Sequence, residues 1–322
     1  MKKLFVKDLE VSSEITDFFM IKSFDIKQDR NGKRYLDITL SDMTGEVNGK
    51  KWDIEQMGSD EISKLAAGKI MKIKAEVTEW RDTKQLKIMK IRFANESDEI
   101  NKRDFIKAAP ENPKDMYEFI LSTIDDFEDE DLKKLCKTIY EDNKEKIMYY
   151  PAAMSNHHAE YAGLLWHIKR MLKAGIKMCE VYTNLNRDLL LAGIAIHDIE
   201  KLNEIESDEN GISPGYSFEG QMIGHIVQGV RMVHNRSMEL GIGYEKMILL
   251  EHMILSHHYE PEFGSPKRPL FPEAEMLHHL DNIDAKMFDM EESLTTTEEG
   301  KFGEKIWTLD NRRIYKKKFY NA

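Results

Sequence analysis

The sequence predicts a multidomain chain of two unlike parts: a small five-stranded β-barrel over residues 1–95, and an all-helical bundle behind it. Three observations predict this. Up to Asn95, apolar and polar residues alternate with period two in short runs separated by turn residues. Beyond Asn95 the pattern becomes helical and stays so. All 11 histidines lie in the second part, none before His157.

The runs FFMIKSFDIKQ, YLDITLSD, EVNGKKWD, KIMKIKAEVTEW and QLKIMKIRF read as the strands. Asn-Gly at the centre of Asp29–Lys33 and the Gly-ended Met43–Gly45 supply turns between them. Five short strands in so short a span suit an oligonucleotide-binding (OB) fold. Ser59–Lys69 reads as the helix such a barrel inserts between its third and fourth strands. Ser59 or Asp60 would cap it and Gly68 would end it.

Residues 96–150 read as a polar linker with Pro110 and Pro113, followed by leading helices near 115–125 and 129–148. A third region, 151–300, predicts helices over 158–180, 187–201, 218–240, 244–258 and 272–290. Pro261, Pro266, Pro269 and Pro272 mark an ordered loop, with Pro272 suited to the first turn of the last helix. Residues 301–322 form a basic and aromatic tail that includes RRIYKKKFY, a pattern able to grip RNA or simply to solubilise.

No apolar run approaches the roughly 20 residues that span a bilayer, so no membrane association is expected. Lys7 and Asp8 interrupt the opening apolar run too early for a signal peptide. Cys136 and Cys179 form no motif and suit a reducing cytoplasm. Net charge is −11, but residues 1–95 carry a balance of +3 and the remainder −14. The basic front can meet an anionic polymer. The acidic rear needs another way to hold phosphate, and bound divalent metals would supply one. Homo-oligomerisation is left open.

A lone histidine is usually structural. A series on the apolar faces of successive helices is different. His197 has Gly193, Ile194 and Leu190 behind it on its helix, so its ring faces the core, and Asp198 follows it. A buried carboxylate without a partner costs several kcal/mol or more, and a metal removes that objection for both residues. His167, His225, the pair His257 and His258, and Asp281 each come from a different helix. A bundle can aim such side chains at one centre. Seven ligands sharing one carboxylate suit two metals about 3.5–4 Å apart. Imidazole-rich shells favour manganese, iron or zinc over magnesium or calcium. Asp284, one turn on, competes with Asp281.

The ordered set H…HD…H…HH…D, at intervals of 30, 27, 32 and 23 residues, resembles the HD-domain metal-dependent phosphohydrolase superfamily. NRDLLLAGIAIHDIEKL, GQMIGHIVQGV and LSHHYEPEFGSPKRPLFPEAEMLHHLDNIDAKM narrow the likeness. With the front FFMIKSFDIKQDRNGKRYLDITLSDMTGEV, they resemble the bacterial YhaM-type 3′→5′ exoribonucleases over nearly the whole chain.

That resemblance implies an OB fold joined to an HD domain. It implies a cytoplasmic enzyme that releases 5′-mononucleotides from the 3′ end of single-stranded RNA, with DNA as a second substrate. It implies two divalent ions, manganese by family precedent, with iron, cobalt or zinc as alternatives. His167, His197, Asp198 and Asp281 would hold the first. His225, His257 and His258 would hold the second, with Asp198 shared. Lys201 would sit near the reacting phosphate. Glu200 stands where such proteins carry Gly, which raises a question of local geometry.

The residues name further substrate candidates: Arg268 as a phosphate clamp, His157, and Tyr35 and Trp52 as base-stacking rings. Two other functions compete. One is an HD phosphohydrolase acting on free nucleotides or cyclic dinucleotides. The other is a single-stranded DNA-binding factor with an inert HD domain.

Overall fold

Period-two alternation pays off when one set of side chains can close on itself. In the computed structural model, β1 (Glu14–Gln28), β2 (Arg34–Asp42), β3 (Gly45–Lys51), β4 (Ile70–Trp80) and β5 (Thr83–Phe93) form a closed barrel in the order β1-β2-β3-β5-β4. The structure describes residues 2–80, 83–101, 104–154, 158–209, 211 and 213–319; His157 and Tyr320 lie outside them. The alternating positions Leu36, Ile38 and Leu40, and Met71, Ile73, Ala75 and Val77, are fully buried inside the barrel. Asp29 sets the β1–β2 turn by accepting from the backbone N–H of Asn31 and Lys33.

The inserted helix is shorter than expected. It is α1 (Ser59–Ser63), begun by Gly58 with no side-chain cap, and Gly68 shapes a later turn at φ +81°. The polar stretch after Asn95 folds back onto the barrel rather than leaving it. Asp98 takes both arms of the Arg92 guanidinium at 2.7 Å, and Phe105 is buried. Two units result, Met1–Ala108 and Ala109–Ala322.

The second unit is helical: α2 (Pro113–Asp125), α3 (Glu130–Asp142), α4 (Lys144–Ile147), α5 (Gly163–Val181), α6 (Arg187–Ile196), α7 (Lys201–Glu204), α8 (Phe218–Leu240), α9 (Tyr244–Ser256) and α10 (Pro272–Thr296). The stretch 129–148 breaks at Asn143, whose amide donates to the Ile139 carbonyl and satisfies a group the helix end leaves over. α5 starts at Gly163, not 158, because the chain before it turns back. A Cβ at Gly163 would lie 2.0 Å from the His158 carbonyl.

α6 is buried on every side from Asp188 to Ile196, which makes it the central helix and explains its unbroken apolar run. Gly193 lets α9 press close, since a Cβ there would meet Met253 at 2.1 Å. α8 is not continuous. Gly224 sits at φ 69°, ψ 164°, a conformation essentially reserved for glycine, and kinks the helix just before His225.

Two small sheets complete the unit. β6 (Ile205–Glu206) pairs with β7 (Gly215–Tyr216). Where the sequence reads a tail, β8 (Phe302–Ile306) and β9 (Arg312–Tyr315) form an antiparallel hairpin. Among the described residues, no helix is long and apolar enough to cross a membrane.

Candidate metal centre

The ends of α6 and α9 aim the site histidines. His197 and His257 follow the last residues of these helices, and each ring ties its Nδ1 to the carbonyl three residues back. His197 bonds Ile194 at 2.9 Å and His257 bonds Ile254 at 2.7 Å. A carbonyl only accepts, so Nδ1 carries the proton and Nε2 keeps its lone pair for the centre. His258 is held alike by the Phe263 carbonyl at 2.7 Å. The chain has left the helix by His258, and Tyr259 at φ 69° turns it further. Adjacent helical positions would diverge, but this turn brings both His257 and His258 to one place; their ring centroids are 4.1 Å apart.

Asp198 stands between two pairs of imidazoles. Its Oδ2 lies 3.4 Å from His197 Nε2 and 3.7 Å from His167 Nε2. Its Oδ1 lies 3.5 Å from His225 Nε2 and 3.7 Å from His257 Nε2. Asp281 approaches His167 Nε2 at 3.5 Å. Lys201, one turn after His197, donates from Nζ to Asp198 Oδ2 at 2.6 Å. All seven predicted ligand positions and Lys201 therefore meet in one centre, buried except at the partly exposed His258 and Asp281.

Outer partners orient the rings. Asp284 accepts from His167 Nδ1 at 2.8 Å, from His158 Nε2 at 2.8 Å and from Arg170 Nε at 2.6 Å. It thus buttresses the His167 ring on its Nδ1 side, while Asp281 faces Nε2. Glu204 Oε1 takes both the backbone N–H of His225 at 3.0 Å and its Nδ1 at 2.9 Å. A Cβ at Gly224 would meet that carboxylate at 3.5 Å, an ordinary contact, so it is the backbone torsion at this position and not lack of space that calls for glycine.

Sequence reasoning missed His158 and Glu204 as parts of the site. His158 sits in a loop, where helical spacing says nothing, and it is fully buried. Glu204 ends a one-turn helix too short to carry a periodic signal.

Electrostatics follow from burial and from these carboxylates. Burial lowers the pKa of His197, His257 and His258, which keeps their rings neutral and able to ligate. Burial pushes His167 the same way, but the hydrogen bond and charge of Asp284 outweigh it and raise its pKa. For Asp198, burial opposes the charge, yet the Lys201 ammonium foremost holds it well below the usual carboxylate range. Burial opposes the Lys201 charge too, and Asp198 reverses that.

The donor set fits divalent metal. His197 Nε2, His225 Nε2, His257 Nε2 and Asp198 Oδ1 are buried with no hydrogen-bond partner among the described residues. Such orphaned acceptors are costly unless something positive faces them. Ligand bonds of about 2.0–2.2 Å set neighbouring donors roughly 3.0–3.6 Å apart around one ion, close to the spacings above. The groups His167–His197–Asp198, His225–His257–His258 and His197–His257–Asp281 each converge within 4.8 Å.

Glu200, in place of glycine, sits at φ −73°, ψ −2°, ordinary helical torsions, with its carboxylate on the Asn203 amide at 2.7 Å. The local geometry takes it without strain. Arg268 is exposed, 3.4 Å from Glu260 and 4.9 Å from the Tyr259 ring. On the barrel, Tyr35 and Trp52 pair at 4.6 Å between centroids, with Trp52 42% exposed. His234 pairs with Glu251 and His279 with Glu275, while the His252 ring accepts from Leu270 N–H and His278 donates to the His257 carbonyl.

Glu204→Gln tests the outer support. The amide cannot accept as strongly from the His225 ring, so the ring loses its orientation. Metal affinity is expected to fall about 10–100-fold, read by titrating metal-free protein calorimetrically, with the fold unchanged by circular dichroism.

The HD domain family model matches residues 164–286, the span from α5 into α10. A "3′-5′ exoribonuclease YhaM" of Geobacillus sp. (strain WCH70) is 36% identical over 307 residues, 95% of this chain and 93% of that protein. The protein of the same description from Halalkalibacterium halodurans is 37% identical over 311 residues, 97% of this chain and 95% of its own. Among solved structures, the second OB-fold domain of replication protein A from Methanococcus maripaludis overlaps 28% of this chain and 93% of that one, at 13% identity and a TM-score of 0.23. Identity at this level along nearly the full length of both curated relatives places this HD-domain chain in the YhaM 3′-5′ exoribonuclease family.

Proposed function

We propose that the chain is a metal-dependent 3′-5′ exonuclease that shortens single-stranded RNA to 5′-mononucleotides, with single-stranded DNA as an alternative substrate. The observation that carries this reading is the buried carboxylate of Asp198, each oxygen facing its own pair of imidazoles. One carboxylate between two nitrogen pairs is the arrangement a two-ion site needs.

His167, His197 and Asp281 would hold one ion, and His225, His257 and His258 the other, with Asp198 shared. Two divalent ions there, manganese foremost, with iron, cobalt or zinc as alternatives, would supply Lewis-acid charge and a hydroxide at neutral pH. The protein's part is positioning. The rings are already aimed by their Nδ1 bonds, so no reorganisation is spent when the phosphate arrives. Lys201 would donate from Nζ to a phosphate oxygen. The apolar wall of α6 would exclude bulk water and strengthen every charge inside. Arg268, its guanidinium over the ring next to His258, would steady the phosphate backbone.

In the barrel unit, Tyr35 and Trp52 would stack bases. Trp52→Ala is expected to weaken binding of a single-stranded oligonucleotide by about 1–3 kcal/mol, measured by fluorescence anisotropy.

The reading is tested by offering the manganese-loaded protein a 3′-tailed oligoribonucleotide and, separately, a panel of free and cyclic nucleotides. Stepwise shortening from the 3′ end supports it. Turnover of monomers alone would transfer the site to a nucleotide phosphohydrolase. Tight oligonucleotide binding with no turnover under any of the four metals would leave only a binding protein.

A further inference from the structure

The hairpin β8–β9 carries an unusual outer face. Its inner face packs on the last turns of α10: a Cβ at Gly303 would meet Ser293 and Thr297 at 2.7 and 2.5 Å. Thr308 donates to Asp289 at 2.5 Å, and Lys316 Nζ donates to the Leu294 carbonyl at 2.9 Å. The hairpin is therefore anchored to the helix that carries Asp281.

Strand alternation then sends Arg313 and Tyr315 to the opposite face. Across the ladder, Phe302 stands opposite Tyr315 and Lys305 opposite Arg313, the irregularity in β8 between Phe302 and Lys305 absorbing the extra residue so that both pairs share this face. The Phe302 and Tyr315 rings touch at 5.1 Å between centroids, and both are exposed.

Lys305 opposite Arg313 is the informative pair. Like charges directly opposite in a sheet are destabilising, and neither makes an ion pair or side-chain hydrogen bond among the described residues. From Lys301 to Phe319 stand seven lysines and arginines against only Glu304 and Asp310, in a part of the chain whose balance is otherwise strongly acidic. Trp307, 70% exposed, follows β8. Two aromatic rings beside two uncompensated cations match a polymer that offers bases and phosphates together.

We infer that the outer face of this hairpin, Phe302, Lys305, Arg313 and Tyr315, is a second single-stranded nucleic-acid contact, separate from the barrel. The inference rests on the exonuclease reading above. Along α10, the hairpin's anchor at Asp289 lies roughly 12 Å from Asp281 at 1.5 Å per residue. The face would hold a strand whose 3′ end reaches the centre, by stacking on the rings and pairing phosphates with the cations.

Lys305→Glu separates binding from folding. It sets a carboxylate opposite Arg313, which favours the hairpin, while removing a cation from the contact. The probe is a phosphorothioate oligouridine of about 20 nucleotides, long enough for more than one contact, with manganese-loaded full-length protein. Lys305→Glu is expected to raise Kd about 5–10-fold at low salt and to reduce the log Kd against log salt slope by about one, with thermal stability kept or raised.

Lys177→Glu, an exposed lysine of α5, controls for net charge. If the wild type neither binds nor shortens a cleavable version, the exonuclease reading falls. If it does both while Lys305→Glu matches it in Kd and slope, or Lys177→Glu loses as much, the hairpin contact alone is overturned. A changed oligomeric state with unchanged affinity also overturns it, and assigns the face to a second copy.

Discussion

Asp198→Asn is expected to lower the rate of 3′ nucleotide release by about a thousandfold or more, since losing some 4 kcal/mol of transition-state stabilisation costs a factor of ten per 1.36 kcal/mol. The substitution keeps the volume and one carbonyl-type acceptor. It removes the negative charge toward which four Nε2 atoms and the Lys201 ammonium point. One half of the new amide is a donor and cannot face a cation. Asn is preferable to Ala, because stripping the partner from buried Lys201 would cost about 3–5 kcal/mol of stability and confuse misfolding with lost chemistry. Gel analysis of oligonucleotide shortening, with metal content measured on the same preparation, reads the result. Undiminished shortening by a correctly folded Asp198→Asn protein would remove the centre from the reaction.

Chelation is expected to have the second largest effect: loss of turnover, restored by manganese, and a lower melting temperature for the helical unit. Ions at a hundredfold above their Kd stabilise by about 2.7 kcal/mol, which is roughly 5–10 °C for a unit of this size.

The metal-free protein should also weaken in acid. His197, His257 and His258 have folded pKa values below the unfolded value of about 6.5. Between those values the unfolded chain binds more protons, so stability falls as pH drops from about 6.5 toward their folded pKa. His167 runs the other way: its raised pKa stabilises below about 6.5 and that contribution is lost as pH rises through its folded value. His257, held well below the usual value, sets the expected direction together with His197 and His258. Melting curves from about pH 8 to about pH 5 check the sign; a midpoint that climbs toward acid would contradict this account of the buried rings.

The barrel was legible because period-two burial leaves its mark residue by residue, as at Leu36, Ile38 and Leu40. The convergence of these side chains was legible because His197 and His257 close long apolar helices, where a polar ring facing inward demands a reason. Asp281 and Asp284 share a helical face, so spacing alone cannot rank them; what distinguishes their surroundings is that His158 and Arg170 approach Asp284 from other segments. Glu204 is silent for the same reason, since its meaning lies in a ring 21 residues away. The kink at Gly224 is hidden because a glycine inside an apolar pattern looks the same whether it bends the chain or continues it.

The Nδ1 clamps on His197, His257 and His258 have a consequence for ion selectivity. A socket whose rings are fixed by their own backbone gives up little conformational freedom on filling. It also cannot reshape itself to suit a visitor. With ions held by these rings, discrimination among cations would be set by how well each one's preferred bond lengths and angles match a rigid template, rather than by an adaptive grip.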